Sequence, residues 1–101
     1  MTPLTRASET WVSGLSPCSI SKYRTKLKAG GSPVFLLTPA ATAELPEWWF
    51  LVKSRDGTLF RVISEKNPFC RRIDSLKVAY RMARMAGLQA LNLPIDNTGK
   101  P

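Results

Sequence analysis

Trp48-Trp49-Phe50-Leu51-Val52-Lys53-Ser54-Arg55-Asp56-Gly57-Thr58-Leu59-Phe60-Arg61-Val62-Ile63 is a pair of β-forming runs set around an Asp-Gly step. Aromatic and branched side chains favour extended backbone, which predicts strands over about 48–54 and 58–65. Asp-Gly is the pair that accepts the two positive φ angles of a type I′ turn, whose twist matches a hairpin. With Asp56 and Gly57 as the loop, Lys53 should oppose Phe60, Leu51 should oppose Val62 and Phe50 should oppose Ile63. One face then carries Trp49, Leu51, Phe60 and Val62, and the other carries Phe50, Val52, Leu59 and Ile63. A hairpin with one wet face alternates apolar and polar residues, and this one does not. Its strands are therefore covered on both sides or offer an apolar face to a partner.

Downstream, Asn67-Pro68 breaks the chain before a helix expected over about 75–86. Asp74 suits its N-cap, with Ile73 placed to staple against Val78. Leu76, Ala79, Tyr80 and Ala83 form the expected apolar stripe, widened by Val78, Met82 and Met85. Gly87 stands where a C′ glycine belongs, with Leu88 after it. Leu91, Leu93 and Ile95 alternate as a last strand, at an edge because Pro94 cannot donate to a ladder.

Upstream, the run from Pro33 to Leu37 is apolar throughout and reads as a buried strand. Thr38-Pro39 then opens a short helix that Pro46 ends. Ser19 to Ala29 suits another helix: Ser19 is an N-cap, Ile20, Tyr23 and Leu27 share a face, and Gly30-Gly31 is a stop. The same segment also alternates Lys22, Arg24, Lys26 and Lys28 with Tyr23, Thr25 and Leu27, as an edge strand would. These elements predict an α+β fold, a small and mostly antiparallel sheet on the central hairpin, packed against the basic helix, with short N-terminal helices. Residues 1–17 read as a loosely ordered segment in which Trp11, Val12 and Leu15 dock one helical turn. Residues 18–95 read as a single domain, and 96–101 as a frayed tail.

Charge narrows the function. Fifteen Lys and Arg against seven Asp and Glu leave a net charge of +8, a balance that concentrates polyanions around the protein. Lys77, Arg81 and Arg84 recur at i, i+4 and i+7 on the second helix, and Arg71 and Arg72 precede it. With Lys22, Arg24, Lys26 and Lys28, these nine are the candidate nucleic-acid contacts. Catalysis is argued down, and no cofactor is expected. The chain has no histidine, which removes the commonest general acid–base group and any His-activated nucleophile. Cys18 and Cys70 stand alone without a C-x-x-C, so no four-ligand zinc site is expected. Cys70 beside Arg71 and Arg72 is read as a buried structural thiol rather than an activated one. No apolar run approaches the ~18 residues of a membrane span, and a cytoplasmic setting is expected, with no membrane partner.

Two resemblances add to this. Gly14-Leu15-Ser16-Pro17-Cys18-Ser19-Ile20-Ser21-Lys22-Tyr23-Arg24 resembles the turn and recognition-helix start of helix-turn-helix proteins, except that Thr10 stands where alanine is usual. That likeness implies Ile20 and Tyr23 inward, with Ser19, Ser21, Lys22 and Arg24 as DNA contacts. Phe50-Leu51-Val52, Asp56-Gly57, Ser75-Leu76 and Ala86-Gly87-Leu88 together resemble small accessory proteins of plasmids and integrative elements. This second likeness implies a role in the maintenance, transfer or regulation of such a mobile element. Two functional classes stand side by side: a DNA-associated binding protein, and a protein–protein interaction module or inhibitor. The second would use Trp48, Trp49 and Phe60 as its hot spot, with an acidic protein or a second copy of the chain as partner.

Overall fold

The hairpin forms, with its register shifted by one residue from the two-residue-loop expectation. The computed structural model describes residues 5–42, 44–64, 66–67, 69–89 and 93–95. In chain order the elements are α1 (Glu9–Ser13), β1 (Ser16–Ser19), α2 (Ile20–Lys28), β2 (Ser32–Leu37), β3 (Trp48–Lys53), β4 (Leu59–Ile63), β5 (Arg72–Ile73) and α3 (Leu76–Met85). Across the turn, Lys53 faces Leu59, Val52 faces Phe60 and Leu51 faces Arg61. Gly57 alone takes a positive φ, 91°, while Asp56 does not, so the loop is the three-residue kind that ends in a glycine bulge. Ser54 and Thr58 close it through Ser54 N–H to Thr58 O at 2.9 Å. Asp56 earns its place through its carboxylate, which accepts from the Ser54 hydroxyl and from the Thr58 N–H. Those two bonds hold its pKa down at about 2.

The shift regroups the two faces of the sheet, because side chains alternate with period two. Phe60 and Val62 join Phe50 and Val52, where the two-residue loop would have put them with Trp49 and Leu51. The sheet is five-stranded and mixed, in the order β1-β4-β3-β2, with β5 continuing beside β3. β1 runs parallel to β4, and the other pairings are antiparallel. Arg71 links the pieces on one edge of β3: Phe50 N–H donates to Arg71 O at 2.8 Å, and Arg71 N–H to Val62 O at 2.7 Å. The two outer strands each carry a proline, Pro17 in β1 and Pro33 in β2, which blunts both edges against further pairing.

Each face has its own core. Cys18, Tyr23, Phe35, Leu37, Trp48, Phe50, Val52, Val62, Ile73 and Ala79 are buried together, with Ile20, Leu27, Val78 and Met82 packed against them. This is the side covered by α2 and α3. On the other side, Ala7, Val12, Leu36, Trp49, Leu51 and Cys70 are buried under the N-terminal segment and α1. Trp49 Nε1 donates to Ala7 O at 3.0 Å, and Trp48 Nε1 to Pro94 O at 2.9 Å, so each indole is both covered and satisfied. Residues 5–17 thus carry α1 and lead into β1. Cys18 and Cys70 belong to cores on opposite sides of the sheet and are free thiols.

Both longer helices stop in the same way. Gly30 (φ 104°) and Gly87 (φ 76°) follow α2 and α3. Gly31 N–H donates to Lys26 O and Leu88 N–H to Ala83 O, the six-to-one bond of a Schellman motif. The α3 cap is Ser75, whose hydroxyl accepts from Val78 N–H at 3.4 Å, one residue later than the expected Asp74. Ser19 caps α2 as expected. Pro39 to Leu45 forms turns and bends among its described residues rather than a helix. Its ends are pinned together by Thr38 N–H to Glu47 O and Thr38 Oγ1 to Glu47 Oε1. Leu93 to Ile95 carry no strand, and Leu91 and the tail 96–101 lie outside the described residues.

Gly31 is needed for space. A Cβ there would stand 2.7 Å from Lys53 O and 2.8 Å from Lys26 O, both backbone atoms. Gly31→Ala should therefore lower stability by about 1–3 kcal/mol, the usual penalty for forcing atoms into filled space. A thermal melt followed by circular dichroism reads the loss, and an unchanged midpoint would mean that the crossing is loose.

Candidate nucleic-acid interface

α2 and α3 lie on the same side of the sheet, and Met85 of α3 meets α2 across a shared cleft. On α2, Tyr23 is buried and its neighbours divide by helical spacing. Lys22 and Lys26, one turn apart, take one flank. Lys26 Nζ lies 3.9 Å from the centre of the Phe60 ring, a cation–π contact that also explains the partial cover of Phe60. Arg24 and Lys28 take the other flank and line a cleft with Met85 of α3. That places the second pair of α2 cations against the neighbouring helix.

On α3 the buried residues are Ala79 and Ala83, with Val78 and Met82 half-buried beside them. Leu76 and Tyr80, expected in the inward stripe, are 64% and 63% exposed. Small side chains let a helix axis approach a sheet closely, and the alanines mark the face that does so here. Lys77, Arg81 and Arg84 are all exposed. They occupy the side of α3 away from its two buried alanines, as their i, i+4, i+7 spacing requires. Neither 20–28 nor 76–85 contains an Asp or Glu, so nothing within either helix neutralises these cations.

Arg72 does not extend this surface. Arg72 pairs with Trp49, and its guanidinium lies 5.7 Å from the Trp49 ring. Side chains of directly paired residues share a face, so Arg72 stands on the α1 side of the sheet. Arg71 is half-buried and lines, with Arg72, Phe69, Asn67 and Ser64, a separate cleft of about 340 Å³. The five-cation patch expected over 71–84 therefore loses Arg72 to the other side of the sheet. Other cations serve the fold: Arg6 donates to the carbonyls of Thr38 and Ala41, and Arg61 to those of Ser13 and Leu15.

Two further expectations are corrected by burial and topology. Trp48 and Trp49 are 3% and 4% exposed and Phe60 is half-buried, because both faces of the hairpin are covered from within the chain. They form no outer hot spot. The segment from Gly14 to Arg24 is not a helix-turn-helix, because Ser16–Ser19 intervenes as a strand paired with β4. Ile20 and Tyr23 do point inward. Burial pushes the Cys70 thiol up to about 11 and raises that of Cys18, the reverse of nucleophile activation. Sequence reasoning missed the part Met85 plays: 53% exposed, it walls the α2–α3 cleft instead of widening the core stripe. The signal was available in Ala79, Ala83 and Ala86, which set the inward direction of α3. Among the described residues, no helix is long and apolar enough to cross a membrane, and no group of three or more His, Cys, Asp or Glu is placed to hold a metal ion. Compared with known protein families, curated proteins and solved structures, the chain matches none.

Proposed function

We propose that this protein binds nucleic acid, duplex DNA in the first place, through the outer surface of α2 and α3, as an accessory or regulatory factor of a mobile element. One observation carries the binding: seven cations, Lys22, Arg24, Lys26, Lys28, Lys77, Arg81 and Arg84, sit on two helices of one layer that hold no carboxylate. Dispersed charge with acids interleaved would have given a solvated surface and no more. The mobile-element setting rests on the pattern resemblance of the hairpin and α3 alone. Contacts of this kind go to backbone phosphates, so they supply affinity and orientation rather than sequence readout. A reading in which the hairpin aromatics capture another protein loses its motive, since Trp48 and Trp49 are inside.

The test replaces Lys77, Arg81 and Arg84 together with alanine and measures anisotropy of a labelled duplex over a salt series. Three lost phosphate contacts should weaken binding on the order of a hundredfold at low salt and flatten the slope of log K against log salt by about 3. Lys53→Ala with Arg72→Ala, which removes charge from the α1 side of the sheet, should leave affinity within a few-fold. Unchanged binding in the triple variant would refute the interface. An equal loss in the control pair would show that net charge alone is at work.

A further inference from the structure

We propose that the cleft between α2 and α3 is a binding site for a small amphiphilic anion, a molecule with an apolar body of up to three rings and a single acidic group. Tyr23 and Leu27 of α2 and Met85 of α3 supply apolar wall, and Arg24 and Lys28 complete the lining. The volume, about 260 Å³, falls just below the ~300–1,000 Å³ typical of pockets for drug-sized ligands, which sets the size of the body.

The chemistry of the occupant follows from the two kinds of wall. Arg24 and Lys28 are exposed and one turn apart on the same flank of α2, so a single acidic group can meet both. Neither helix has a carboxylate to compete for them. Met85, 53% exposed, is an unbranched thioether that adapts to a range of apolar shapes. Tyr23 closes the inner side, and its buried hydroxyl has no hydrogen-bond partner among the described residues. A polynucleotide backbone would satisfy the cations and leave the apolar wall wet. An uncharged apolar molecule would cover the wall and leave the cations unused. An amphiphilic anion meets both demands.

Two dyes that share their rings and differ in one group separate these cases: 8-anilinonaphthalene-1-sulfonate and the uncharged N-phenyl-1-naphthylamine. The sulfonate should bind one per chain, with fluorescence enhancement and amide shifts at Leu27, Lys28 and Met85, and at least about tenfold more tightly than the uncharged dye. Arg24→Gln with Lys28→Gln should abolish that preference while leaving the circular dichroism unchanged, both positions being exposed. Met85→Trp, which fills the cleft, should weaken both dyes. Equal affinity for the two dyes, a preference that survives the double glutamine variant, shifts at other amides, or no binding would each overturn the proposal. No nucleic acid enters the experiment, so its outcome is independent of the duplex-binding reading.

Discussion

Phe50→Ala should lower the melting midpoint of this domain by tens of degrees. Phe50 is fully buried at the middle of β3, the central strand. Its ring stacks on Phe35 at 5.5 Å, with 10° between planes, and meets the edge of Tyr23 at 5.0 Å and 72°. Those contacts join β3 to β2 and to α2, so the ring holds sheet to helix. Truncating a buried phenylalanine costs about 3–5 kcal/mol, a range that includes the cavity left behind. The two aromatic pairs, each worth about 0.5–1.5 kcal/mol beyond area, place this site at the upper end. Against a total of about 5–15 kcal/mol for a domain, that is between about a third of the stability and all of it. At about 4–8 °C per kcal/mol, the melting midpoint should fall by roughly 20–40 °C. Phe69→Ala is the matched control, since Phe69 is 63% exposed and its loss should stay within about 0.5 kcal/mol. Urea melts of both variants decide the matter. A loss below about 1 kcal/mol for Phe50→Ala would mean that the two covered faces described above are not packed.

Why some of this was legible and some was not comes down to the range of the interactions. The two strands around Asp56-Gly57, the helix capped by Ser19 and the helix stopped by Gly87 are set by neighbours a few residues apart, and all three are present. The hairpin register was not legible because Arg55-Asp56-Gly57 suits either loop length. A two-residue loop asks Asp56 for positive φ, and a three-residue loop asks it only for a side-chain acceptor. That single choice moved Phe60 and Val62 to the other side of the sheet. The parallel pairing of Ser16–Ser19 with β4 joins positions more than forty residues apart, and Ser-Pro-Cys-Ser has no strand signature of its own. For the candidate interface, helical spacing placed Lys77, Arg81 and Arg84 correctly outward. Whether α2 joined them depended on which side of the sheet each helix covered, which no local pattern encodes. Arg72 failed to join for the same reason on a smaller scale: one residue's phase in a two-residue strand decides its side. Trp48 and Trp49 were misjudged as a surface because the chain that covers Trp49, from Ala7 to Leu15, is short and weakly patterned.

Raising the pH from about 7.5 to about 10.5 should destabilise this domain through two buried groups, one in each core. Burial pushes the Cys70 thiol from 9.0 up to about 11 and the Tyr23 hydroxyl from 10.0 up to about 12. In both cases the folded state favours the neutral form, so the unfolded chain ionises first as pH rises. Their contributions are whole at neutral pH, begin to fall near pH 9 for Cys70 and near pH 10 for Tyr23, and are gone once the folded values are passed. Each shift of about 2 units is worth on the order of 2–3 kcal/mol at its limit, and at pH 10.5 most of the Cys70 share is already lost. Tyr23→Phe isolates the second group, and its hydroxyl has no hydrogen-bond partner among the described residues. A buried polar group left unsatisfied costs about 1–3 kcal/mol, so the variant should be at least as stable as the parent at neutral pH. It should also lose less stability than the parent between pH 10 and 12. Urea melts at both ends of each range, under reducing conditions, measure the slopes. A parent stability that stays level from pH 7.5 to 10.5 would show that Cys70 is wet in the folded state. A Tyr23→Phe variant more than about 1 kcal/mol weaker at neutral pH would show that the hydroxyl has a partner after all.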